Sequence, residues 1–178
     1  MKTKKNKKNK KDKKDKKLKQ AVAILYPDKH YSKKNRVKGR VHFTQMGNRL
    51  TIKYKIQHLP KGYHGFHIHQ FGDLTEGCKT AGPHFNTYKK NIHGGPKSKI
   101  KHNGDLGNIY NIKPTTSGTK IVSSNVLNLN LKNKNSIIGR SIIVHKDRDD
   151  LGKGNNLESL KTGNAGPRLA CGVIGISK

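Results

Sequence analysis

Residues 64–105, HGFHIHQFGDLTEGCKTAGPHFNTYKKNIHGGPKSKIKHNGD, hold six of the ten histidines in the chain. His67 and His69 form a His-x-His pair flanked by Phe66, Ile68 and Phe71. In a strand, residues i and i+2 share a face, so two imidazoles would project side by side with apolar residues behind them. His84, His93 and His102 follow at intervals of nine, and Asp105 comes three residues later. Gly82, Pro83, Gly94, Gly95, Pro96 and Gly104 separate them, which is the composition of a loop able to wrap around an ion. Three imidazoles and one carboxylate suit a closed tetrahedral zinc site. The two strand imidazoles suit a second, imidazole-rich site, for which copper is the best first-row candidate.

These ligands need a rigid frame, and the alternating segments around them supply one. Short strands are expected at 21–25, 37–44, 50–56 and 65–71, then at 107–112, 121–131, 137–144 and 169–176. The segment 50–56 alternates cleanly, with Leu50, Ile52, Tyr54 and Ile56 on one face and Thr51, Lys53 and Lys55 on the other. Gly47 and Asn48 mark the turn before it. Two long connections, 72–104 and 146–168, are too long to be passive and carry the polar and glycine-rich residues. Many short strands with no convincing amphipathic helix indicate an all-β antiparallel barrel or sandwich.

The chain has 178 residues and a formal net charge of +29, which predicts affinity for polyanions and fast encounter with anions. Residues 1–19 carry twelve lysines and two aspartates and are expected to be a disordered tail preceding a single domain over 20–178. The tail reads as a solubilising extension, a polyanion or nucleic-acid contact, or a nuclear address; no aromatic residue is interleaved to support base stacking. No apolar run has the length of a membrane span, and no signal-peptide core follows the basic start, so cytosolic synthesis is expected. Two cysteines, Cys78 and Cys171, exclude a thiolate zinc site and leave either one long-range disulfide or two free thiols.

The segments GFHIHQFGD (65–73), GPHFN (82–86), HGGP (93–96), HNGDLGN (102–108), GRSIIVH (139–145), DDLGKG (149–154) and TGNAGPRLACGVIGI (162–176) together resemble the copper/zinc superoxide dismutase family. The resemblance runs from about Ala21 to the C-terminus. It implies an eight-stranded antiparallel Greek-key β-barrel, an immunoglobulin-like sandwich with two long functional loops. It further implies disproportionation of superoxide to oxygen and hydrogen peroxide through a Cu(II)/Cu(I) cycle, by a homodimer served in some settings by a copper chaperone. Carried over residue by residue, the copper ligands are His67, His69, His84 and His145, and the zinc ligands are His84, His93, His102 and Asp105. His84 is then the bridge and proton carrier, and Arg168 the cation beside copper that binds the anion. Asp149 would join the outer nitrogens of His67 and His93, against its plain reading as a turn aspartate. Lys161 and Thr162 would line the substrate approach, and Cys78 and Cys171 would form the intrasubunit disulfide.

The resemblance also marks departures. Gln70 stands where an acidic residue is common, Thr87 where proline is frequent, and one extra residue precedes His93. Leu157 replaces one of two acidic residues of the approach loop and leaves Glu158. Phe71, Gly72, Ile138, Val173 and Ile176 match the family's dimer contact. His30, His42 and His58 read as surface residues, and His64 as a structural hydrogen-bonding histidine. Two readings of other classes stand beside the enzyme. One is a non-catalytic copper/zinc-binding chaperone-like or decoy module; the presence of both His145 and Arg168 argues against it. The other is a polyanion-binding protein acting through its lysine tail. The cytoplasm is the expected location, with the nucleus or a packaged particle admitted by the tail.

Overall fold

The computed structural model describes residues 19–88 and 92–178. Its strands are β1 (Lys19–Pro27), β2 (Lys38–Met46), β3 (Arg49–Gln57), β4 (Gly62–His69), β5 (Asp105–Asn111), β6 (Thr115–Ser123), β7 (Ser141–His145), β8 (Arg168–Val173) and β9 (Gly175–Ser177). They pair antiparallel in the order β5-β4-β7-β8-β1-β2-β3-β6. β9 resumes the line of β8 along β1, Ala21 facing Ile176, after a break at Ile174. With β8 and β9 taken as one interrupted strand, the barrel has the eight strands expected. The connections β3→β4 and β6→β7 cross between distant strands, the mark of a Greek key. At the seam, β5 and β6 are held by side chains: Thr116 Oγ1 donates to Tyr110 O at 2.9 Å, and Lys120 Nζ to Asn108 O at 2.8 Å.

Alternation sets the core. Val41, Phe43, Leu50, Ile52 and Ile56 from the β2–β3 pair meet Phe66 and Ile68 of β4 and Ile142 and Val144 of β7, all fully buried. The Gly47-Asn48 turn joins β2 to β3, with Met46 opposite Arg49. The strand expected at 121–131 lies earlier, at Thr115–Ser123; Leu127 and Leu129 are buried from a loop instead. The second long connection contains a short helix, α1 (Leu157–Thr162), which the sequence reading did not anticipate. Asn156 caps it by accepting from Ser159 N, and Gly163 closes it in the left-handed region at φ 69°. The tail expected over 1–19 lies outside the described residues except for Lys19, which opens β1. The extra residue before His93 likewise falls in a segment whose residues 89–91 are outside them.

Candidate metal centre

β4 presents His67 and His69 on one face, both fully buried, and β7 ends at His145 beside them. Close approach there requires a glycine: a methyl group at Gly65 would sit 2.8 Å from Ala165 Cβ and 3.0 Å from His67 Cε1. The first long loop folds back so that Phe85 N donates to Ile68 O at 2.8 Å and Gln70 N to Pro83 O at 2.8 Å. That return sets His84 against His69. His93, His102 and Asp105 complete the group from the same loop and the start of β5.

Two clusters result, one of His67, His69, His84 and His145, the other of His84, His93, His102 and Asp105, with His84 common to both. The outer nitrogens of the rings are already committed. His69 Nδ1 contacts Gly82 O at 2.8 Å and His145 Nδ1 contacts Gly166 O at 3.1 Å. His67 Nε2 and His93 Nε2 each contact one oxygen of Asp149, at 2.8 and 2.7 Å. Each such contact fixes the proton on the outer nitrogen and leaves a lone pair facing inward.

Four of the inner nitrogens are left without a hydrogen bond. His67 Nδ1, His84 Nε2, His93 Nδ1 and His102 Nδ1 are buried with no hydrogen bond among the described residues. His69 Nε2 and His145 Nε2 face each other at 3.2 Å. The Nδ1 atoms of His84, His93 and His102 converge on one oxygen, Asp105 Oδ1, at 2.8, 3.0 and 3.3 Å. Its other oxygen accepts from Gly94 N and His102 N. Buried polar atoms without partners are costly. Convergent imidazole lone pairs fit a copper-type ion in the first cluster, and three imidazoles with one carboxylate fit zinc in the second.

The electrostatics agree with ligand duty. Burial, reinforced by neighbouring His67, pushes the His84 imidazole down to about 3. Burial and adjacent imidazoles hold His69 and His145 well below the usual range. These rings stay neutral and free to coordinate. Burial also acts downward on His93, but the negative charge of the adjacent Asp105 and Asp149 carboxylates outweighs it and raises that ring to about 9. Burial would raise both carboxylates, yet the histidines around them hold Asp105 and Asp149 far below the ordinary carboxylate range.

A cavity of about 930 Å³ opens onto the first cluster, lined by His69, His84, His145, Lys161, Thr162 and Arg168 among others. Arg168 starts β8 and is only partly exposed. Its guanidinium donates to the carbonyl oxygens of Cys78, Lys79 and Gly82. Cys78 sits in a short 3-10 turn, Gly77–Ala81, tied to β8 by a disulfide to Cys171. Lys161 is exposed on α1, while Thr162 Oγ1 donates to Glu158 Oε1 at 2.6 Å. All the expected ligand residues therefore meet. His64 is buried, Nδ1 at 3.0 Å from His145 O and Nε2 at 2.9 Å from Pro60 O, the hydrogen-bonding role expected of it.

The sequence reading missed four supports. Asn108 clamps the backbone of Asp149 twice, Nδ2 donating to Asp149 O and Oδ1 accepting from Asp149 N, both at 2.8 Å. Asp150 accepts from Ser159 Oγ and Asn164 Nδ2, pinning α1 to its loop. Asp28 Oδ1 accepts from Cys78 N at 3.0 Å. Arg140 lies over the Phe85 ring, 3.6 Å from its centroid, and donates to Gln70 O. HNGDLGN contained Asn108, but no spacing rule distinguishes such a backbone clamp from a turn residue.

Residues 37–174 match the profile of a family described as copper/zinc superoxide dismutase. Superoxide dismutase (Cu-Zn) A of Xenopus laevis is 53% identical over 140 residues, 78% of this chain and 89% of its own length. Superoxide dismutase (Cu-Zn) of Yarrowia lipolytica is 48% identical over 164 residues, 89% of this chain and 98% of its own. Extracellular superoxide dismutase (Cu-Zn) of Brugia pahangi is 48% identical over 160 residues, 88% and 76%.

Proposed function

The chain belongs to the copper/zinc superoxide dismutase family, and from that premise we propose how its own residues perform the dismutation. It is an oxidoreductase that takes copper and zinc and converts superoxide to oxygen and hydrogen peroxide. The observation that carries this is the pair of buried clusters sharing His84, with four of their inward nitrogens lacking a hydrogen bond.

Copper supplies the one-electron redox change when bound, while zinc contributes charge and rigidity. Copper is assigned to His67, His69, His84 and His145, and zinc to His84, His93, His102 and Asp105. His84 faces both clusters, with Nδ1 toward Asp105 and Nε2 toward the copper group. Its Nε2 is therefore the atom placed to hold a proton when not coordinated and to pass it to the reduced substrate. Arg168, fixed by three carbonyl oxygens, presents charge and donors to the incoming anion at the cavity floor. Lys161, exposed at the rim, draws the anion in, and Thr162 helps shape the passage. Asp149 holds His67 and His93 in the tautomer that coordinates. Residues 20–178 form the dismutase domain in this reading, with 1–19 as a lysine tail.

A homodimer is supported by exposed apolar residues at positions that match the family's dimer contact. Phe71, Val173 and Ile176 are 52, 43 and 67% exposed, and Gly72 packs against Gly139 and Val173. We propose a copper chaperone and, through the lysine tail, a polyanion or nucleic acid as further partners. The cytoplasm is the proposed compartment, with the nucleus or a packaged particle reached through the tail. No helix of the described residues is long and apolar enough to cross a membrane. A relative named extracellular shows that the family alone does not set the compartment.

The test is superoxide consumption by protein loaded with both metals, beside Arg168→Ala. Fast turnover that drops in the variant is expected. Absence of turnover at confirmed copper occupancy would favour the metal-binding module without catalysis.

A further inference from the structure

β1, β2, β3 and β6 make up half of the barrel and contain no aspartate or glutamate at all. On the outer face of β2 and β3, Arg40 stands directly opposite Lys55, and His42 opposite Lys53, all exposed. Like charges directly across a ladder, here Arg40 and Lys55, are destabilising, and these four strands carry no carboxylate to offset them. The salt bridges among the described residues all involve histidine, so none of these lysines or arginines has a carboxylate partner.

The same charge continues around the end of the sheet. A hollow of about 360 Å³, holding Lys38, Arg40 and Lys55, neighbours a larger one of about 800 Å³, Lys38 and Gln57 of the first adjoining Val37 and His58 of the second in the chain. The larger is lined by Lys34, Arg36, Lys61, Lys146 and Arg148 with Asp147 as its one carboxylate. Tyr63, 49% exposed, forms part of its wall. The Tyr63 ring pairs with Tyr110, itself 48% exposed, at a centroid distance of 4.6 Å, and the Arg148 guanidinium lies 5.1 Å from the Tyr63 centroid. Tyr26 and Tyr31 are exposed along the same track.

Cations without carboxylate partners along two neighbouring hollows match a chain of phosphates, and exposed rings beside them match unpaired bases. We propose that this face of the barrel, from Arg40 and Lys55 to Lys61 and Tyr63, binds single-stranded nucleic acid independently of the lysine tail. The phosphodiester backbone follows the cationic groove and bases stack on Tyr63 and Tyr110. The groove is distinct from the metal cavity, whose lining shares no residue with either hollow. The tail enters at the far end of β1, where Lys19 pairs with Gln45.

The experiment measures fluorescence anisotropy of a labelled oligothymidylate against the full-length, metal-loaded protein over a range of potassium chloride. Replacing Lys34, Arg40, Lys55 and Lys61 together by Gln is expected to weaken binding and to reduce the log–log salt slope by up to about 3. Tyr63→Leu is expected to weaken binding roughly fivefold or more while leaving the slope unchanged. Dismutase activity of every variant reports the fold, since none of these residues touches the metal clusters. If the fourfold variant does not fold, Lys34→Gln with Lys61→Gln should give about half the change in slope. An unaltered slope would overturn the proposal and leave the tail as the contact. Unaltered affinity in Tyr63→Leu, with heparin competing as well as the oligonucleotide, would overturn it in favour of a surface that reads charge alone.

Discussion

The backbone carbonyl of Cys78 accepts a hydrogen bond from the Arg168 guanidinium, so the residue that anchors the disulfide also positions the cation proposed to meet the incoming anion. Arg168 and Cys171 lie three residues apart on β8. The bridge thus closes a small circuit, from β8 through the disulfide to the 3-10 turn and back through the guanidinium to β8.

Replacing Cys78 and Cys171 together by Ala should act on both fold and rate. The bridge spans 93 residues. In the chain-entropy account a closed loop of that size contributes about 4–5 kcal/mol. The urea midpoint should fall accordingly. Activity should fall less than in Arg168→Ala, because Asp28 still tethers Cys78 N, or the alanine in its place. Rates identical to the parent protein would separate Arg168 from the disulfide.

Arg168→Ala should lower the dismutation rate roughly tenfold or more, since a hydrogen bond to a charged group contributes about 1.5–3 kcal/mol. Arg168→Lys should lie between, keeping the charge but not the planar donor fork that spans three carbonyls. Stopped-flow superoxide decay at fixed ionic strength makes the comparison. Equal rates for Ala and Lys would mean that charge contributes nothing here.

Asp149→Asn should weaken metal binding by about 10–100-fold, because His67 and His93 lose the carboxylate that orients them. Asn108→Ala should produce a smaller loss of the same kind, as it frees the Asp149 backbone. Competition against a chelator, read separately for copper and zinc, checks both. Undiminished affinity in Asp149→Asn would reduce that carboxylate to a turn residue.

The metal-free protein should be most stable near neutrality. His69, His84 and His145 are depressed below their unfolded value of 6.5, His84 to about 3, so the unfolded chain binds their protons first. Their contribution is complete above 6.5 and is lost as pH falls through each folded value, for His84 about 3. His93 is raised to about 9, so its contribution is complete below 6.5 and is lost as pH climbs through 9. With His67, also lowered by burial, four histidines act on the acid side and one on the alkaline, so melting temperature against pH should fall more steeply toward acid. A symmetric curve would contradict these assignments.

Much of this was legible in the sequence where chemistry and periodicity coincide. The His-x-His pair with its apolar flanks placed β4, and the nine-residue spacing separated the loop ligands. β6 escaped because its order comes from pairing: Thr116 is its one buried residue, while all nine of its residues pair with β3. The run at 126–131 alternated without being a strand, since Leu127 and Leu129 fill the core from a turn. α1 was missed because six residues show too little periodicity, leaving only Asn156 and Gly163 to announce it. That His84 belongs to two clusters is a property of the fold, as no spacing tells a ring which of its nitrogens will face which neighbour.

The Asp149 carboxylate holds a histidine of each cluster, one per oxygen. It therefore links the two sites: zinc held by His93 would also settle Asp149, and through it His67. If zinc raises the affinity for copper by some factor, copper must raise the affinity for zinc by that same factor. Loss of either ion would loosen the grip on the other, and a partly loaded population would drift toward molecules holding both metals or neither.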